Sequence, residues 1–419
     1  MPTPYDEWFD RFVDPAGPGA SVAVELKGER IYVAQRGLAN LEWRAAVGPD
    51  TVFRTASVGK QFTAAAIVRL AEAGELTLDD PVASHLPALA GSAVTIRQLL
   101  SHMSGLGDYT EDPHFMTYEV RRDHTTAELV AIIQALPIRF EAGARCEYNN
   151  SNYVLAGAVV EACSGQPLDG YLEAMLAPLG LAHTHYLHDR AIVPQRAAGY
   201  APGPVNAPPL AMTNPHGAGA LGSTPSDLLT WSRALREGRV VSPAGYHAMV
   251  TPVRPADGVD VTRGLGLFRH RVRGETVICH SGAIFGFRAH LAHWPAHDLT
   301  VAAMANSNPF PVEQLAHGLA RRALGLTDVV HTAVTLGEAA LAACAGRFQF
   351  HTTEVLDLAP AEGALASTFP EAGSRWRPCG DDCFFLEGDP EVTFRFVDGG
   401  RSAVVLADYR TPMTGRRIG

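Results

Sequence analysis

Strand-like segments crowd the two ends of the first ~325 residues and are nearly absent between them, which restricts the fold more than any other feature of the chain. Residues 21–39 read as a hairpin: Val22-Ala23-Val24-Glu25-Leu26, a turn at Lys27-Gly28-Glu29, then Ile31-Tyr32-Val33-Ala34. Short turn-separated strands return at 264–268, 276–279, 287–291 and 299–304, and a helix at 312–323 closes the region. The clearest intervening helices are 57–73, 126–135, 152–164 and 225–237. One antiparallel sheet assembled from both ends, with a helical insertion, is the expected α/β (α+β) architecture. Residues 326–340 read as a connector. Beyond it, strands at 347–350, 355–358, 365–369, 375–378, 383–386, 392–397 and 403–409, without a clear helix, predict a small all-β barrel or sandwich. The expected division is 1–325, a linker at 326–340, and 341–419.

Composition narrows the partner. The 419 residues are 47% hydrophobic and 19% charged, ordinary for a globular chain. A net charge of −10 and no Lys/Arg cluster argue against nucleic acid and for a small molecule or short peptide. The start, Met1-Pro2-Thr3-Pro4-Tyr5, has neither the basic nor the apolar region of a signal peptide, and no apolar run reaches membrane-spanning length. Six scattered cysteines are unlike a disulfide framework, so reduced thiols in a cytoplasm are expected. The Cys379-x3-Cys383 pair suits a bridge or half a metal site, but no second pair matches it. His183-Thr184-His185-Tyr186-Leu187-His188 lacks acidic or Cys partners at a familiar spacing. No metal and no cofactor are therefore expected, and a homodimer is left open.

Of 34 Lys and Arg residues only two, Lys27 and Lys60, are lysines. Arg cannot release its proton at physiological pH, whereas a buried Lys can. Lys60 follows Ser57 by three residues in Thr55-Ala56-Ser57-Val58-Gly59-Lys60, so both occupy one face at a helix start. A desolvated Lys can take the proton of a serine hydroxyl, and the helix N-terminus favours developing negative charge. Alone, Ser-x-x-Lys is common by chance.

Two further elements strengthen it. Tyr148-Asn149-Asn150 enters a helix and can set a phenol beside an amide, and a phenolate near an ammonium is a workable general base; alone, Tyr148 reads more readily as a core tyrosine. His280-Ser281-Gly282-Ala283 follows a strand: Gly282 lets a substrate backbone lie against the edge, and the Ala283 N–H can join that of Ser57 as an oxyanion hole.

In this order the three resemble the Ser-x-x-Lys, Tyr-x-Asn and Lys-Thr-Gly-like elements of the serine β-lactamase and penicillin-binding-protein superfamily, over about residues 8–325. Leu99-Leu100-Ser101-His102-Met103-Ser104-Gly105-Leu106 and residues 149–157 and 219–228 also look like family segments. The resemblance is to the class C branch, with Tyr in the second motif; the class A Ser-Asp-Asn element and Gly-x-Ser-x-Gly are both absent. It implies a β-lactamase/transpeptidase-like fold and a serine acyl-enzyme on Ser57, with Lys60 and Tyr148 moving its proton. Asn150 would orient the substrate amide and Lys60.

The third motif departs from the common pattern, with His280 where many members carry Lys or Arg. This His-x-Gly form looks like the D-aminopeptidase and related esterase branch. An imidazole is a weaker, pH-dependent anchor for a substrate carboxylate. Arg288 is the candidate replacement cation, or equally a surface residue. An appended lipocalin-like barrel fits the same branch, and Gly380-Asp381-Asp382 either meets a substrate ammonium or is simply a turn. The expected activity is a D-aminopeptidase-like peptidase or amidase. A carboxylesterase, a weak β-lactamase and a non-catalytic ligand-binding sensor are the alternatives.

Overall fold

The computed structural model describes every residue except 204, 260, 351–354, 370–372, 398, 400 and 419. Contacts divide the chain into two compact units: Met1–Arg269 with Val277–Leu324, and His270–Thr276 with Gly325–Gly419.

Among the described residues the main sheet has six strands: β1 (Ala20–Leu26), β2 (Glu29–Arg36), β3 (Phe268–Val272), β4 (Glu275–Ile284), β5 (Phe287–Trp294) and β6 (Leu299–Ala305). Their order is β3-β4-β5-β6-β1-β2, so the hairpin at the start pairs with a strand some 280 positions later. The β1–β6 pairing is antiparallel and in register from Ala20↔Ala305 to Leu26↔Leu299. Residues 20–25 of β1 are all buried, as a strand covered on both faces requires. On one face α6 (Val312–Ala323) packs with α1 (Pro4–Phe9), whose Trp8 donates its indole N–H to Leu315 O at 3.1 Å. The other face carries the helical insertion.

Three insertion helices matter most here: α2 (Lys60–Glu72), α4 (Ser151–Ser164) and α5 (Pro225–Arg236). Each residue of α4 from Ser151 to Val160 is buried, and α2 is buried all round except at Arg69 and its C-terminal end. Helices without a polar face belong in a core. Sequence and structure agree on α3 (Thr126–Ala135), where Thr125 and Glu128 form a capping box.

The strand expected at 264–268 is corrected. Gly266 has φ +74°, Leu265 N–H donates to Met249 O at 2.8 Å, and the stretch folds as a turn over α2. A Cβ on Gly266 would stand 2.9 Å from Lys60 O, so this close approach requires glycine. The sheet strand begins only at Phe268, which Arg263 meets in a single antiparallel bridge.

The second unit holds a closed barrel of eight strands, β7 (Gly346–Gln349), β8 (Val355–Ala361), β9 (Ala364–Ser367), β10 (Ser374–Pro378), β11 (Cys383–Leu386), β12 (Asp389–Phe396), β13 (Ala403–Ala407) and β14 (Met413–Arg417). Phe348 opposite Arg417 closes it. Trp376, Phe384, Phe394 and Phe396 fill the interior, with Phe384 and Phe394 stacked at 4.8 Å. Helix α7 (Glu338–Cys344) adds Leu341 and Cys344 to this core. The loop Gly380-Asp381-Asp382 joins β10 to β11, and Asp382 pairs with Arg401 at 3.3 Å within the same unit.

Candidate active site

Ser57 sits in a 3-10 turn, Ala56–Gly59, that leads directly into α2. Ala56 just before it has φ +47°, a left-handed conformation that costs a non-glycine residue about 1–3 kcal/mol. Thr55 holds that backbone, donating its hydroxyl to Leu221 O at 2.8 Å and its N–H to the same oxygen at 2.9 Å.

Lys60 is completely buried. Its Nζ lies 3.0 Å from Ser57 Oγ, 2.8 Å from Asn150 Oδ1 and 3.0 Å from Ala218 O. Burial brings its pKa down to about 7, against the opposing pull of the nearby Asp108 charge. The three acceptors match the three N–H bonds of an ammonium. Once neutral, the amine can keep its two N–H bonds on Asn150 and Ala218 and turn its lone pair to the Ser57 hydroxyl.

Asp108 fixes the amide of Asn150. Its Oδ2 accepts from the Asn150 backbone N–H at 2.7 Å and from Asn150 Nδ2 at 3.4 Å, while Thr110 Oγ1 lies 3.0 Å from the same Nδ2. With Nδ2 so engaged, Oδ1 must face Lys60. Asp108 itself accepts from Thr110 N–H at 2.9 Å and Thr110 Oγ1 at 2.8 Å. The preceding segment supports the motif from beneath: Ser104 Oγ bonds Asn152 Oδ1 at 2.6 Å, and Asn149 Nδ2 donates to Leu106 O at 2.7 Å.

Tyr148 presents its ring to Lys60, whose Nζ is 4.9 Å from the centroid, and stacks on His102 at 4.4 Å. Burial raises the phenol pKa well above its ordinary value, opposed by a hydrogen bond with Ser57. The resting side chain is therefore a neutral phenol rather than the phenolate the sequence reading allowed. Arg263, half-buried, places its guanidinium 5.7 Å from the same ring and donates to Cys146 Sγ at 3.3 Å.

Strand β4 forms the other wall. A Cβ on Gly282 would lie 2.3 Å from Thr55 O and 3.1 Å from Ser57 N, so the strand runs hard against the nucleophile's backbone. Ile284 pairs with Phe287 across a two-residue turn, and Gly282 pairs with Ala289. Ala283 consequently takes a non-hydrogen-bonded position, its N–H directed away from β5. Ala283, Ser57 and Asn150 line a cleft of about 230 Å³ whose remaining wall is largely apolar, including Phe115, Leu210 and Phe285. Gly282→Ala is expected to lower kcat/KM at least about tenfold and to destabilise the fold by about 1–3 kcal/mol through overpacking. Denaturant midpoints and initial rates check this, and a fully active variant would contradict the crowding.

Two readings of this wall change. His280 is buried, and burial, then the Lys60 charge, depress its pKa to about 3. Its Nδ1 lies 2.6 Å from Ser281 O, so Nδ1 carries the proton and the ring stays neutral through the physiological range. It is not a cationic anchor. Arg288 points away from the cleft: its neighbours Phe287 and Ala289 join the helix-side core, whereas its guanidinium meets Glu313 of α6 at 3.5 Å. Alternation along β5 puts successive side chains on opposite faces.

Asp108, His102 and Arg263 were not anticipated. The first two lie in or beside the segment 99–106, which was recognised only as a neighbour of the motifs. Arg263 stands in a loop with no local pattern. Among the described residues no group of His, Cys, Asp and Glu is arranged to hold a metal, and no helix is long and apolar enough to cross a membrane.

A nucleophile-lysine-tyrosine cluster between a helix N-terminus and a sheet edge defines a β-lactamase-like protein. The chain matches the family described as Beta-lactamase over residues 6–325, and it belongs to that family. It is similar to a D-aminopeptidase of Gluconobacter oxydans (strain 621H), 28% identical over 302 residues, covering 69% of this chain and 56% of the relative. The chain thus spans little more than half the length of that curated relative. Among solved structures it resembles a D-stereospecific amidohydrolase from Streptomyces sp. (TM-score 0.66, 28% identity, 77% of this chain and 99% of that one). It also resembles SurE (TM-score 0.65, 28% identity), with 99% and 97% of the two chains covered, so that likeness includes the barrel.

Proposed function

We propose that the protein is a cofactor-independent serine hydrolase that cleaves an amide bond of a small molecule or short peptide through an acyl-enzyme on Ser57, in the manner of a D-aminopeptidase or amidase. The observation that carries this reading is the fully buried Lys60 Nζ, 3.0 Å from Ser57 Oγ, with a pKa brought down to about 7. Neutral Lys60 takes the hydroxyl proton as Ser57 Oγ attacks the carbonyl carbon. The N–H groups of Ser57 and Ala283 receive the oxyanion. Tyr148, hydrogen-bonded to Ser57, conveys the proton to the departing nitrogen, and water then releases the acyl group by the reverse path. Asn150 orients Lys60 and the substrate amide.

The cleft beside Ser57 supports an apolar acyl side chain, because none of its lining residues is charged. Cysteines that are all free fit a reducing, cytoplasmic setting.

A fluorophosphonate probe followed by intact-protein mass spectrometry tests the reading. One covalent adduct is expected on the wild type and none on Ser57→Ala. An unlabelled wild type, or equal labelling of both, would sink it and favour a binding protein.

A further inference from the structure

The Cys379-x3-Cys383 pair takes no part in the chemistry assigned to Ser57 and Lys60, yet the barrel brings its two sulfurs together. Strands β10 and β11 are aligned at Arg377↔Phe385 and Pro378↔Phe384, a register that sets Cys379 opposite Cys383. Cys379 N–H donates to Cys383 O at 2.8 Å and closes the hairpin at that pair. Residues opposite each other in a hydrogen-bonded pair have Cα atoms about 5.5 Å apart and side chains on one face. That spacing falls within the range a disulfide spans, so a bridge needs no backbone movement. The thiols already touch: Cys379 Sγ lies 3.1 Å from Cys383 Sγ, and both residues are half-buried. The other cysteines are placed differently. Cys146 Sγ donates to Ser101 O at 3.3 Å, Cys163 Sγ lies 3.2 Å from His85 Nδ1, and Cys279 and Cys344 are buried.

We propose that Cys379 and Cys383 form a reversible redox modification site, closing to a disulfide when the surrounding pool of small thiols is oxidised and reopening when it is reduced. The reaction is thiol–disulfide exchange with a small-molecule disulfide such as glutathione disulfide. Burial first, then the hydrogen bond and charge of Cys383, push the Cys379 thiol up to about 12, so the first attack falls to Cys383. The Cys383 thiolate attacks one sulfur of the oxidant, forming a mixed disulfide and expelling one thiolate. Cys379 Sγ then attacks the Cys383 sulfur, passes its proton to the second departing thiolate and completes the bridge. The two protein thiols are oxidised, and the small disulfide is reduced to two thiols. A loop running only from 379 to 383 gains little from loop-closure entropy, which suits a bridge that reopens. A zinc reading is weaker: two thiolates are half of a tetrahedral set, and among the described residues no group of three such side chains is arranged to hold a metal. Both cysteines belong to the barrel unit, and the proposal does not depend on the hydrolase reading.

The reduced full-length protein, incubated with glutathione disulfide at about pH 8 and then unfolded in N-ethylmaleimide, gives the direct readout. Peptide mass mapping should show the maleimide lost from both Cys379 and Cys383, in a peptide lighter by its two thiol hydrogens. Cys146 and Cys163 should form no bridge. Dithiothreitol should restore both alkylations. Cys379→Ser should trap glutathione on Cys383, because the resolving thiol is gone, whereas Cys383→Ser should take up at least about tenfold less. If Cys379 and Cys383 stay fully alkylated after the oxidant, or either pairs with a different cysteine, the proposal is overturned. Equal glutathione uptake by the two serine variants would overturn the assigned order of attack. The mapping is made on the wild type, so it decides the matter even where a serine variant fails to fold.

Discussion

Lys60→Arg is expected to lower kcat/KM by about 10³- to 10⁴-fold, although it keeps the positive charge that almost every other basic position of the chain also carries as Arg. The substitution removes the ability to become neutral, and with it the lone pair aimed at Ser57. Wild-type acylation should rise with pH through about 7 and then level, because only the deprotonated amine acts. The arginine variant should lose that limb altogether. The same shift fixes a sign for stability. Folded Lys60 holds its proton less tightly than an unfolded lysine, so the unfolded chain binds more protons above about pH 7, and Lys60's contribution to stability should rise from there toward the ordinary lysine value. A circular-dichroism melt of the variant guards against simple misfolding. Retained activity with an unchanged pH profile would remove Lys60 from the mechanism.

Tyr148→Phe is expected to cost about 10²- to 10⁴-fold on an amide substrate and markedly less on an activated p-nitrophenyl ester. An amine must be protonated to leave, whereas p-nitrophenolate leaves without help. The variant keeps the aromatic stack on His102 and the ring that faces Lys60, losing only the hydroxyl. The limb near pH 7 should survive, since Lys60 sets it. An equal loss on both substrates would mean that the tyrosine merely positions Ser57. A loss confined to the ester would reverse the assignment.

Much of this arrangement could be read from the chain. Ser57, Lys60, Tyr148 and Asn150 come together because each motif is short and opens a helix, so local spacing already fixes which way the side chains face. Helices with strong caps, such as Thr126–Ala135, were equally plain. What escaped depends on register and on contacts distant in sequence. Whether Arg288 faces the cleft turns on the two-residue Phe285-Gly286 turn, and a shift of one residue would reverse every side chain of β5. Strand β14 lacks apolar alternation because Gly415 is its one buried residue, so barrel closure rather than pattern places it. Residues 264–268 carry alternating Gly and Leu that suit a strand, but the space against α2 admits only a glycine turn. The charge state of His280 depends on burial and on the charge of Lys60, which is distant in sequence.

The pairing of β1 with β6 also sets a clock. Synthesis runs from the N-terminus at about 5–20 residues per second. Ser57 therefore leaves the ribosome roughly 12–50 s before Ala305, and until that residue emerges β1 cannot complete its place in the sheet. Over the same interval α2, apolar on nearly every side, has neither the strand wall nor all of its core around it. A nascent chain halted in the helical insertion would hold its nucleophile and lysine but no oxyanion hole. It would be catalytically silent and adhesive, and a chaperone that shields the first hundred residues should raise the yield of active protein more than one acting after release.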